Sequence, residues 1–300
     1  MKLISKEIEL EFGKKILFNE KLANYSWFNL GGPSEIFFKP SCIEDIITFL
    51  KEVKPERVNI LGAGSNTLIR DGGVRGTTLK LGSQFSFLNL ALPNIIEAGA
   101  ATLDKKIAEF ALEHSLTGLE FLSCIPGSIG GAIRMNSGCY GEDISKILHS
   151  IEVIDMSGNE KSILASDIKF YYRNSNLDHN LIITSVKLHG KPALKEKIKK
   201  KQQALIDKKK IAQPSQIKTC GSTFKNPKNK KAWELIKQSN CQNFQVGNAK
   251  ISEKHCNFFI NTGKATAKEL ESLINKVKDT VYQKTKINLE LEIKIIGYNK

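Results

Sequence analysis

The sequence predicts an α+β fold, because strands follow one another across glycine-rich turns while helices occur only at intervals. Thr266 and Glu269 form a capping box before a helix that runs to about Thr285. A second helix is predicted at residues 104–114, where apolar residues recur at helical spacing. Short apolar or β-branched runs predict strands at residues 58–61, 77–81, 95–98, 151–156 and 181–188.

Three further segments complete the predicted order of elements. Ser41 and Glu44 have the spacing of another capping box, with apolar residues at helical spacing behind them. A lysine-rich helix is expected from Pro192 to about Lys210, at the junction of two domains. Residues 289–296 alternate apolar and charged side chains, which predicts a half-buried strand with three charged residues on one face: Glu290, Glu292 and Lys294. Residues 119–140 are rich in glycine and predict irregular structure.

Length and composition indicate a globular protein. The chain has 300 residues, of which 41% are hydrophobic and 25% are charged, and this length suggests two domains or three small ones. No apolar run approaches the ~20 residues that cross a bilayer, and residues 1–15 lack the apolar core of a signal peptide. We therefore expect a protein of the cytoplasm with no membrane partner.

The six cysteines show neither CxxC spacing nor the Cys and His spacing of a zinc site. They predict free thiols in a reducing compartment, and no metal site. Cys220 precedes Ser222 by two residues, and we interpret it as a small buried side chain.

The net charge of +14 is unevenly distributed. Residues 191–300 contain 25 Lys and Arg against 9 Asp and Glu, whereas residues 1–190 contain 20 against 22. Such asymmetry can indicate a polyanionic partner. However, 40 lysines against 5 arginines also fit an AT-rich genome that fills solvated faces with lysine. A nucleic-acid-binding protein is a further alternative, although the lysine-rich residues 195–210 include no aromatic side chain.

A first glycine motif, Gly62-Ala-Gly-Ser-Asn66, directly follows a predicted strand. A Rossmann interpretation is weak, because Thr67 stands where the third glycine of a dinucleotide fingerprint would be. Glycines nevertheless allow backbone N–H groups to converge on an anion, and Ser65 and Asn66 add side-chain donors. The motif indicates a pyrophosphate site, with an ordinary tight turn as the alternative.

A second motif, at residues 126–141, contains five glycines interleaved with Ser128, Asn136 and Ser137. Glycine lets the backbone approach a ligand closely, so two such segments indicate a large, phosphate-bearing ligand. An exposed linker is the alternative, but the apolar residues of this segment argue against it.

Two shorter motifs offer chemical groups. In Phe170-Tyr-Tyr-Arg173, a scarce arginine lies among aromatic residues, where either its planar fork or a surface cation–π contact explains it. In Cys220-Gly-Ser-Thr-Phe-Lys-Asn-Pro227, Ser222 offers a proton donor beside Lys225 and Asn226, or simply a turn. No GxSxG elbow surrounds Ser222, so a hydrolase triad is not indicated.

Together and in this order, the motifs resemble the UDP-N-acetylenolpyruvoylglucosamine reductase family over nearly the whole chain. The resemblance includes WFNLGG at residues 27–32, GAGSN, GLEFLSCIPGSIGGAIRMNSGCYG, YYR, GSTFKNP, SEKHCNFFIN at residues 252–261, and LELEIKIIG. The long glycine motif, GSTFKNP and SEKHCNFFIN are specific. The short spacing between YYR and GSTF implies the family branch that lacks an extra tyrosine-bearing loop.

The resemblance implies an N-terminal segment (1–24), an FAD-binding domain of the p-cresol methylhydroxylase type (25–190), and a smaller α+β substrate-binding domain (195–300). It implies that NADPH reduces FAD, and that the reduced FAD delivers hydride to C3 of an enolpyruvyl ether on a UDP-sugar, in peptidoglycan precursor synthesis. The resulting enolate is protonated at C2. We expect a monomer that binds no nucleic acid. An FAD oxidase on the same fold is the alternative enzyme.

By motif match, Arg173 corresponds to the arginine that stabilises the enolate, Ser222 to the serine that protonates C2, and Glu292 to a glutamate that assists. Positions near the substrate diphosphate or carboxylate are matched by Tyr140, Lys225, Asn226 and Lys294. FAD is expected against the two glycine motifs, at Gly62, Gly64, Ser65, Asn66, Thr67, Gly127, Ser128, Gly131, Asn136 and Gly138.

The chain departs from the family pattern at four positions. Cys124 replaces a usual glycine, Asn248 replaces another, and Thr67 stands where an apolar residue is usual. Lys294 stands where arginine is usual, which loses a bidentate fork at a ligand contact.

Overall fold

The computed structural model describes residues 4–53 and 58–300. The chain divides into two compact units. Unit 1 comprises Met1–Phe18, Ile36–Ala63 and Gly76–Lys209, and unit 2 comprises Asn19–Glu35, Gly64–Arg75 and Lys210–Lys300. Each unit is thus assembled from separate stretches of chain, and the continuous domain boundaries expected from the sequence stay a prediction.

The described residues contain both helices and strands, as the predicted α+β class requires. The helices are α1 (Lys6–Phe12), α2 (Ile43–Glu52), α3 (Asp104–Glu113), α4 (Ile129–Arg134), α5 (Lys195–Ala212), α6 (Ala232–Gln238) and α7 (Ala267–Thr285). The strands are β1 (Ile16–Lys21), β2 (Pro33–Phe38), β3 (Val58–Ile60), β4 (Thr67–Ile69), β5 (Val74–Leu79), β6 (Leu88–Leu92), β7 (Ile95–Gly99), β8 (Leu116–Thr117), β9 (Gly138–Cys139), β10 (Glu142–Asp143), β11 (Leu148–Ile154), β12 (Glu160–Leu164), β13 (Phe170–Tyr171), β14 (Asn174–Ser175), β15 (Ile182–His189), β16 (Lys191–Pro192), β17 (Gln245–Val246), β18 (Ala249–Ile251), β19 (Phe259–Asn261) and β20 (Lys294–Ile296).

Unit 1 is organised around a five-stranded sheet in the order β12-β11-β15-β7-β6, whose neighbours are all antiparallel. The buried side chains Ile107 of α3, Ile133 of α4 and Val186 of β15 belong to one hydrophobic core. A second core in the same unit contains Phe38 and Phe49, whose rings stack with centroids 4.1 Å apart. In this part of the unit β3 runs parallel to β5.

Unit 2 contains the three-stranded sheet β17-β18-β19 and the parallel pair of β4 with β20. Helix α7 starts at a complete capping box between Thr266 and Glu269, which confirms the prediction from the sequence. Its apolar residues at helical spacing are buried in the unit's core: Leu270, Leu273, Ile274, Val277 and Val281.

The capping box predicted at Ser41 and Glu44 is wrong. Helix α2 starts at Ile43, and the carboxylate of Asp45 accepts hydrogen bonds from the Ser41 N–H (2.7 Å) and hydroxyl (2.9 Å). Lys15 Nζ donates to the same carboxylate at 2.7 Å. Burial raises the pKa of Asp45, but the bonds from Lys15 and Ser41 outweigh it and lower the pKa to about 2. Lys15, which is distant in sequence, holds the Asp45 carboxylate beside Ser41. The local spacing of Ser41 and Glu44 contains no information about this lysine.

The strand predicted over residues 289–296 is also wrong in its extent, since the chain bends at Glu292 and Ile293 and only Lys294–Ile296 is a strand. The Glu292 N–H donates to the Thr223 carbonyl at 2.8 Å, and this bond to another segment interrupts a continuous ladder. Glu290, Glu292 and Lys294 therefore do not lie on one strand face.

Two helices differ in extent from the prediction. Residues 129–134, which lie in the segment predicted to be irregular, form α4. The lysine-rich helix α5 starts at Lys195 rather than at Pro192, which belongs to β16. Within the described part of the chain, none of the helices combines the length and apolar character needed to span a bilayer.

Candidate active site

Unit 1 brings residues of the two glycine motifs together at Ser128. A Cβ built on Gly62 would lie 3.3 Å from Ser128 Oγ, and one built on Gly131 would lie 4.0 Å from the same atom. The Ser128 side chain is 6% exposed, and none of the described residues bonds to its hydroxyl. Two glycines without side chains thus leave open space around an unpaired hydroxyl.

Backbone hydrogen bonds fix Ser128 in this position. The Ile129 N–H donates to the Thr102 carbonyl at 2.9 Å, and the Asp104 N–H donates to the Gly127 carbonyl at 3.2 Å. Gly127 has a φ of 142°, which favours glycine at this position. The space, the hydroxyl and the close backbone fit a phosphate-bearing cofactor such as the FAD implied by the sequence.

Arg173 in unit 1 has a backbone φ of 56°, in the left-handed region that non-glycine residues seldom adopt. Its Nη2 donates to the Gly138 carbonyl at 2.7 Å, and its guanidinium carbon lies 5.1 Å from the Tyr172 ring centroid. The cation–π contact considered from the sequence is therefore present alongside a hydrogen bond to one of the predicted cofactor residues.

Asn136 and Tyr140 also have left-handed backbones, with φ of 41° and 55°. Asn136 is buried, and its amide joins two segments by donating to the Tyr171 carbonyl (3.1 Å) and accepting from the Ser145 N–H (3.0 Å). Tyr140 is exposed, and Lys208 Nζ lies 4.8 Å from its ring centroid. The Asn136 amide is thus committed to protein groups, whereas Tyr140 is accessible to a ligand.

Next to Tyr140, Cys124 and Cys139 form a thiol pair. Interaction with the Cys139 thiol lowers the pKa of Cys124 against the effect of burial, and Ser123 and the Lys209 ammonium act in the same direction. Interaction with Cys124, together with burial, raises the pKa of Cys139, whose Sγ donates to the Phe121 carbonyl at 3.6 Å. Cys124, a departure from the family pattern, therefore has a second thiol as a neighbour.

In unit 2, the first glycine motif continues into β4 and lies beside the C-terminal segment. Asn66 Nδ2 donates to the Glu292 carbonyl at 3.0 Å, and the Lys294 N–H donates to the Asn66 carbonyl at 2.9 Å. β4 and β20 pair in parallel, with Lys294 opposite Thr67. Gly64 has a φ of 68°, and a Cβ there would collide with the Tyr25 carbonyl. Unit 2 thus brings Asn66, Thr67, Glu292 and Lys294 together.

Ser222 is half-buried on an extended segment of unit 2 and forms an isolated β-bridge with Phe258. The next residue, Thr223, accepts a hydrogen bond from the Glu292 N–H at 2.8 Å. The predicted acid and the predicted assisting glutamate therefore lie on adjacent segments of one unit. Gly221, with a φ of 78°, supplies the turn before Ser222.

Lys225 and Asn226, the two predicted substrate residues after Ser222, differ in their contacts with other protein groups. Lys225 donates its N–H to the Glu290 carbonyl at 2.8 Å, and its Nζ lies 3.6 Å from the exposed Glu290 carboxylate. Asn226 Oδ1 accepts from the Ala232 N–H at 3.0 Å, where α6 begins. Asn226 therefore anchors a helix through its oxygen, and its Nδ2 group offers the hydrogen-bond donors that a phosphate requires.

Asn257 is the residue of this site that the sequence analysis missed. It is 3% exposed, and its amide donates to the Phe224 carbonyl (2.8 Å) and accepts from the Phe224 N–H (3.0 Å). Its own carbonyl accepts from the Thr223 N–H at 2.8 Å. Asn257 thus holds the segment that carries Ser222, and the signal was an amide directly before two phenylalanines in SEKHCNFFIN.

The cysteines are all free thiols, which confirms the prediction. Cys220 is buried, and burial raises the pKa of its thiol to about 12. Its Sγ lies 3.5 Å from the Thr67 carbonyl oxygen, so Cys220 fills the space beneath β4. Among residues 4–53 and 58–300, His, Cys, Asp and Glu side chains do not gather in groups of three that could hold a metal ion.

Comparisons with known proteins identify the family of the chain. Residues 34–163 match the family model of an FAD binding domain, and residues 213–296 match that of the UDP-N-acetylenolpyruvoylglucosamine reductase C-terminal domain. UDP-N-acetylenolpyruvoylglucosamine reductase of Pelagibacter ubique (strain HTCC1062) is 44% identical over 290 residues, covering 95% of this chain and 96% of that protein. The Orientia tsutsugamushi (strain Boryong) protein of the same name is 43% identical over 283 residues, covering 93% of each chain.

A solved structure extends the similarity to three dimensions. The crystal structure of UDP-N-acetylenolpyruvylglucosamine reductase from Thermus caldophilus superposes with a TM-score of 0.83 at 30% sequence identity. The match covers 93% of this chain and 98% of that one. The chain therefore belongs to the UDP-N-acetylenolpyruvoylglucosamine reductase family.

Proposed function

We propose that Arg173, Ser222 and Glu292 carry the reduction that this chain performs. The chain is an FAD-dependent oxidoreductase that reduces the enolpyruvyl ether of UDP-N-acetylglucosamine in peptidoglycan precursor synthesis. FAD, when bound, accepts hydride from NADPH and supplies it to C3 of the enolpyruvyl group. The protein's own residues must then stabilise the negative charge that develops and provide the proton for C2.

The observation that carries this assignment is the hydrogen bond from the Glu292 N–H to the Thr223 carbonyl. It joins the segment of the predicted acid to the segment of the predicted glutamate inside one unit. Ser222 and Glu292 are both half-buried, so each side chain is partly shielded from bulk water. A serine hydroxyl is a weak acid, but the enolate made by hydride addition is basic enough to take its proton.

Arg173 is assigned to the carboxylate of the enolpyruvyl group. Its planar fork matches a carboxylate geometrically, and fixed donors aimed at developing charge are an effective form of catalysis. The hydrogen bond to Gly138 and the contact with Tyr172 hold the side chain in one orientation. Such an arrangement supports a role in stabilising charge rather than in proton transfer.

The polyanionic partners of the reaction are the UDP-sugar and NADPH. By motif match with the family, we assign contacts with the substrate diphosphate to Tyr140, Lys225 and Asn226, and a phosphate or carboxylate contact to Lys294. FAD is assigned to the two glycine motifs, with the open space around Ser128 for a phosphate. We place the reaction in the cytoplasm and expect a monomer to perform it.

Anaerobic mixing of the purified yellow protein with NADPH tests the function. NADPH should bleach the flavin absorbance, and the UDP-enolpyruvyl sugar should restore it with formation of a product that has gained two hydrogen atoms. Bleaching that the UDP-sugar fails to reverse would contradict the proposal. Oxygen consumption with an oxidisable substrate would instead favour the alternative FAD oxidase.

A further inference from the structure

Lys80 lies directly after β5, at the edge where β3 and β5 end side by side. The two strands are parallel, with Ile60 opposite Leu79, so their carboxyl ends open in the same direction. Lys80 Nζ donates a hydrogen bond to the carbonyl of Gly62, the glycine that leaves open space next to Ser128. In open sheets of parallel strands, ligands commonly bind outside the carboxyl ends of the strands.

Among residues 4–53 and 58–300, no ion pair with a carboxylate balances the positive charge at this edge. Lys80 is half-buried, and both burial and the nearby charge of Lys39 lower the pKa of its ammonium group. Within the described ranges, neither lysine takes part in an ion pair. Two neighbouring cations, one of them partly removed from water, raise the free energy of the folded protein unless an anion joins them.

We propose that Lys80, with Lys39 beside it, binds the diphosphate of FAD at Gly62 and Ser128. The inference rests on the proposed assignment of FAD to the glycine motifs and adds the cation that those motifs lack. An ammonium group carries three N–H donors, so Lys80 can hold the Gly62 carbonyl and also donate to a phosphate oxygen. Lys80 is therefore a binding residue for the cofactor rather than only a tether for the loop.

FAD affinity measures this role without reference to turnover. The full-length protein is stripped of flavin and titrated with FAD, with flavin fluorescence as the readout. Lys80→Met should raise the Kd for FAD about tenfold or more, and Lys39→Met about threefold, because charge-assisted hydrogen bonds and nearby charges contribute on this scale. Lys80→Arg should retain most of the affinity, and added salt should weaken FAD binding less in Lys80→Met than in the wild type.

Two comparisons separate phosphate binding from other effects. Lys191→Met removes an exposed lysine of the same unit and should leave the Kd for FAD unchanged. ADP keeps the diphosphate and should lose affinity with Lys80→Met as FAD does, whereas riboflavin lacks it and should not. Equal weakening of riboflavin and FAD would mean that Lys80 only shapes the cavity, and the proposal would fall.

An unchanged Kd for FAD in Lys80→Met also overturns the proposal. If Lys80→Met does not fold, the proposal is tested at the exposed Lys39 instead. A Lys39→Met protein with wild-type FAD affinity and salt dependence would then contradict the proposal. These outcomes are distinct from failure of the proposed function. A wild-type protein that binds FAD but does not reduce the UDP-sugar would fail the function and leave the affinity test intact.

Discussion

The segments predicted to bind ligands are held in place differently in the two units. In the segments of unit 1 predicted to bind ligands, three non-glycine residues have left-handed backbones, and these are Asn136, Tyr140 and Arg173. In unit 2, Ser222 follows the left-handed Gly221, and the extended chain is held by the buried amide of Asn257. Unit 1 thus stores local backbone strain where function is predicted, whereas unit 2 relies on a buried hydrogen-bond network. Substitutions should act on conformation in the first case and on the network in the second.

The largest effect is expected in unit 2, for Ser222→Ala. The variant should fold, stay yellow and accept hydride from NADPH nearly normally, because it lacks only the predicted proton donor. Reduction of the UDP-sugar should fall by at least ~10²-fold, or about 2.7 kcal/mol of barrier. Stopped-flow measurement of each half-reaction checks this. Ser222→Cys should recover part of the loss, and a near wild-type rate for Ser222→Ala would reduce Ser222 to a turn residue.

The network itself is tested by Asn257→Ala. The substitution leaves the N–H and carbonyl of buried Phe224 without partners and should lower the free energy of unfolding by about 2 kcal/mol. Urea unfolding measures the change. Asn243→Ala, at an exposed position of the same unit, should stay within about 0.5 kcal/mol of the wild type. Equal stability of the two variants would mean that the hydrogen bonds of Asn257 do not stabilise the segment that carries Ser222.

Arg173→Lys and Glu292→Gln compare one residue from each unit. Both are assigned to the enolate, which exists only after hydride has left the flavin. Each variant should therefore slow reduction of the UDP-sugar about tenfold or more, an effect of about 1.4 kcal/mol, while bleaching by NADPH changes little. Equal slowing of the two half-reactions would count against the assignment for the residue concerned.

Glycine substitution at two left-handed positions sharpens the contrast between the units. Lys286, at the C-terminal end of α7, has a φ of 58°, so Lys286→Gly should stabilise the protein by about 1 kcal/mol without affecting turnover. Tyr140→Gly relieves similar strain in unit 1 but removes the side chain assigned to the substrate diphosphate. Its KM for the UDP-sugar should rise, and an unchanged KM would show that Tyr140 makes no substrate contact.

The last expected effect is a change in pH dependence and concerns Asp104, which is fully buried with both carboxylate oxygens unpaired among the described residues. Burial raises the pKa of Asp104 well above its usual value. The folded protein therefore holds this proton more tightly than the unfolded chain, so the associated stability is present below the unfolded pKa of about 3.9 and is lost as pH rises.

Asp104→Asn should remove this decline when urea midpoints are compared between about pH 4 and pH 8. Asp167→Asn, at an exposed position of the same unit, is the matched control and should keep the wild-type slope. If the urea midpoints of the wild type and Asp104→Asn change with pH in the same way, the Asp104 carboxyl does not have a raised pKa in the folded protein, and the prediction is wrong.

The sequence predicted features that depend on local or ordered patterns. The Thr266 capping box involves residues three positions apart, and the motif order identified the family before any fold was known. The errors involve distant partners. Asp45, which also bonds to Lys15, takes the place of Glu44 as the partner of Ser41. The bond between Glu292 and Thr223 lies where the chain bends, in a segment that alternation alone predicts to be a strand. For the same reason, the sequence around Asn257 shows a polar amide before two phenylalanines but does not reveal its distant partner, Phe224.

The pairing of β4 with β20 has a consequence for synthesis of the protein. Phe28, Leu30 and Leu68 belong to a core whose other members all follow residue 219, so they leave the ribosome long before their partners. Until those partners are made, we expect these apolar side chains to be exposed to water and to association with other chains. A C-terminal fragment cut at residue 195 would lack them, together with the partner of β20. Unit 2 is therefore completed only after β20 has been translated.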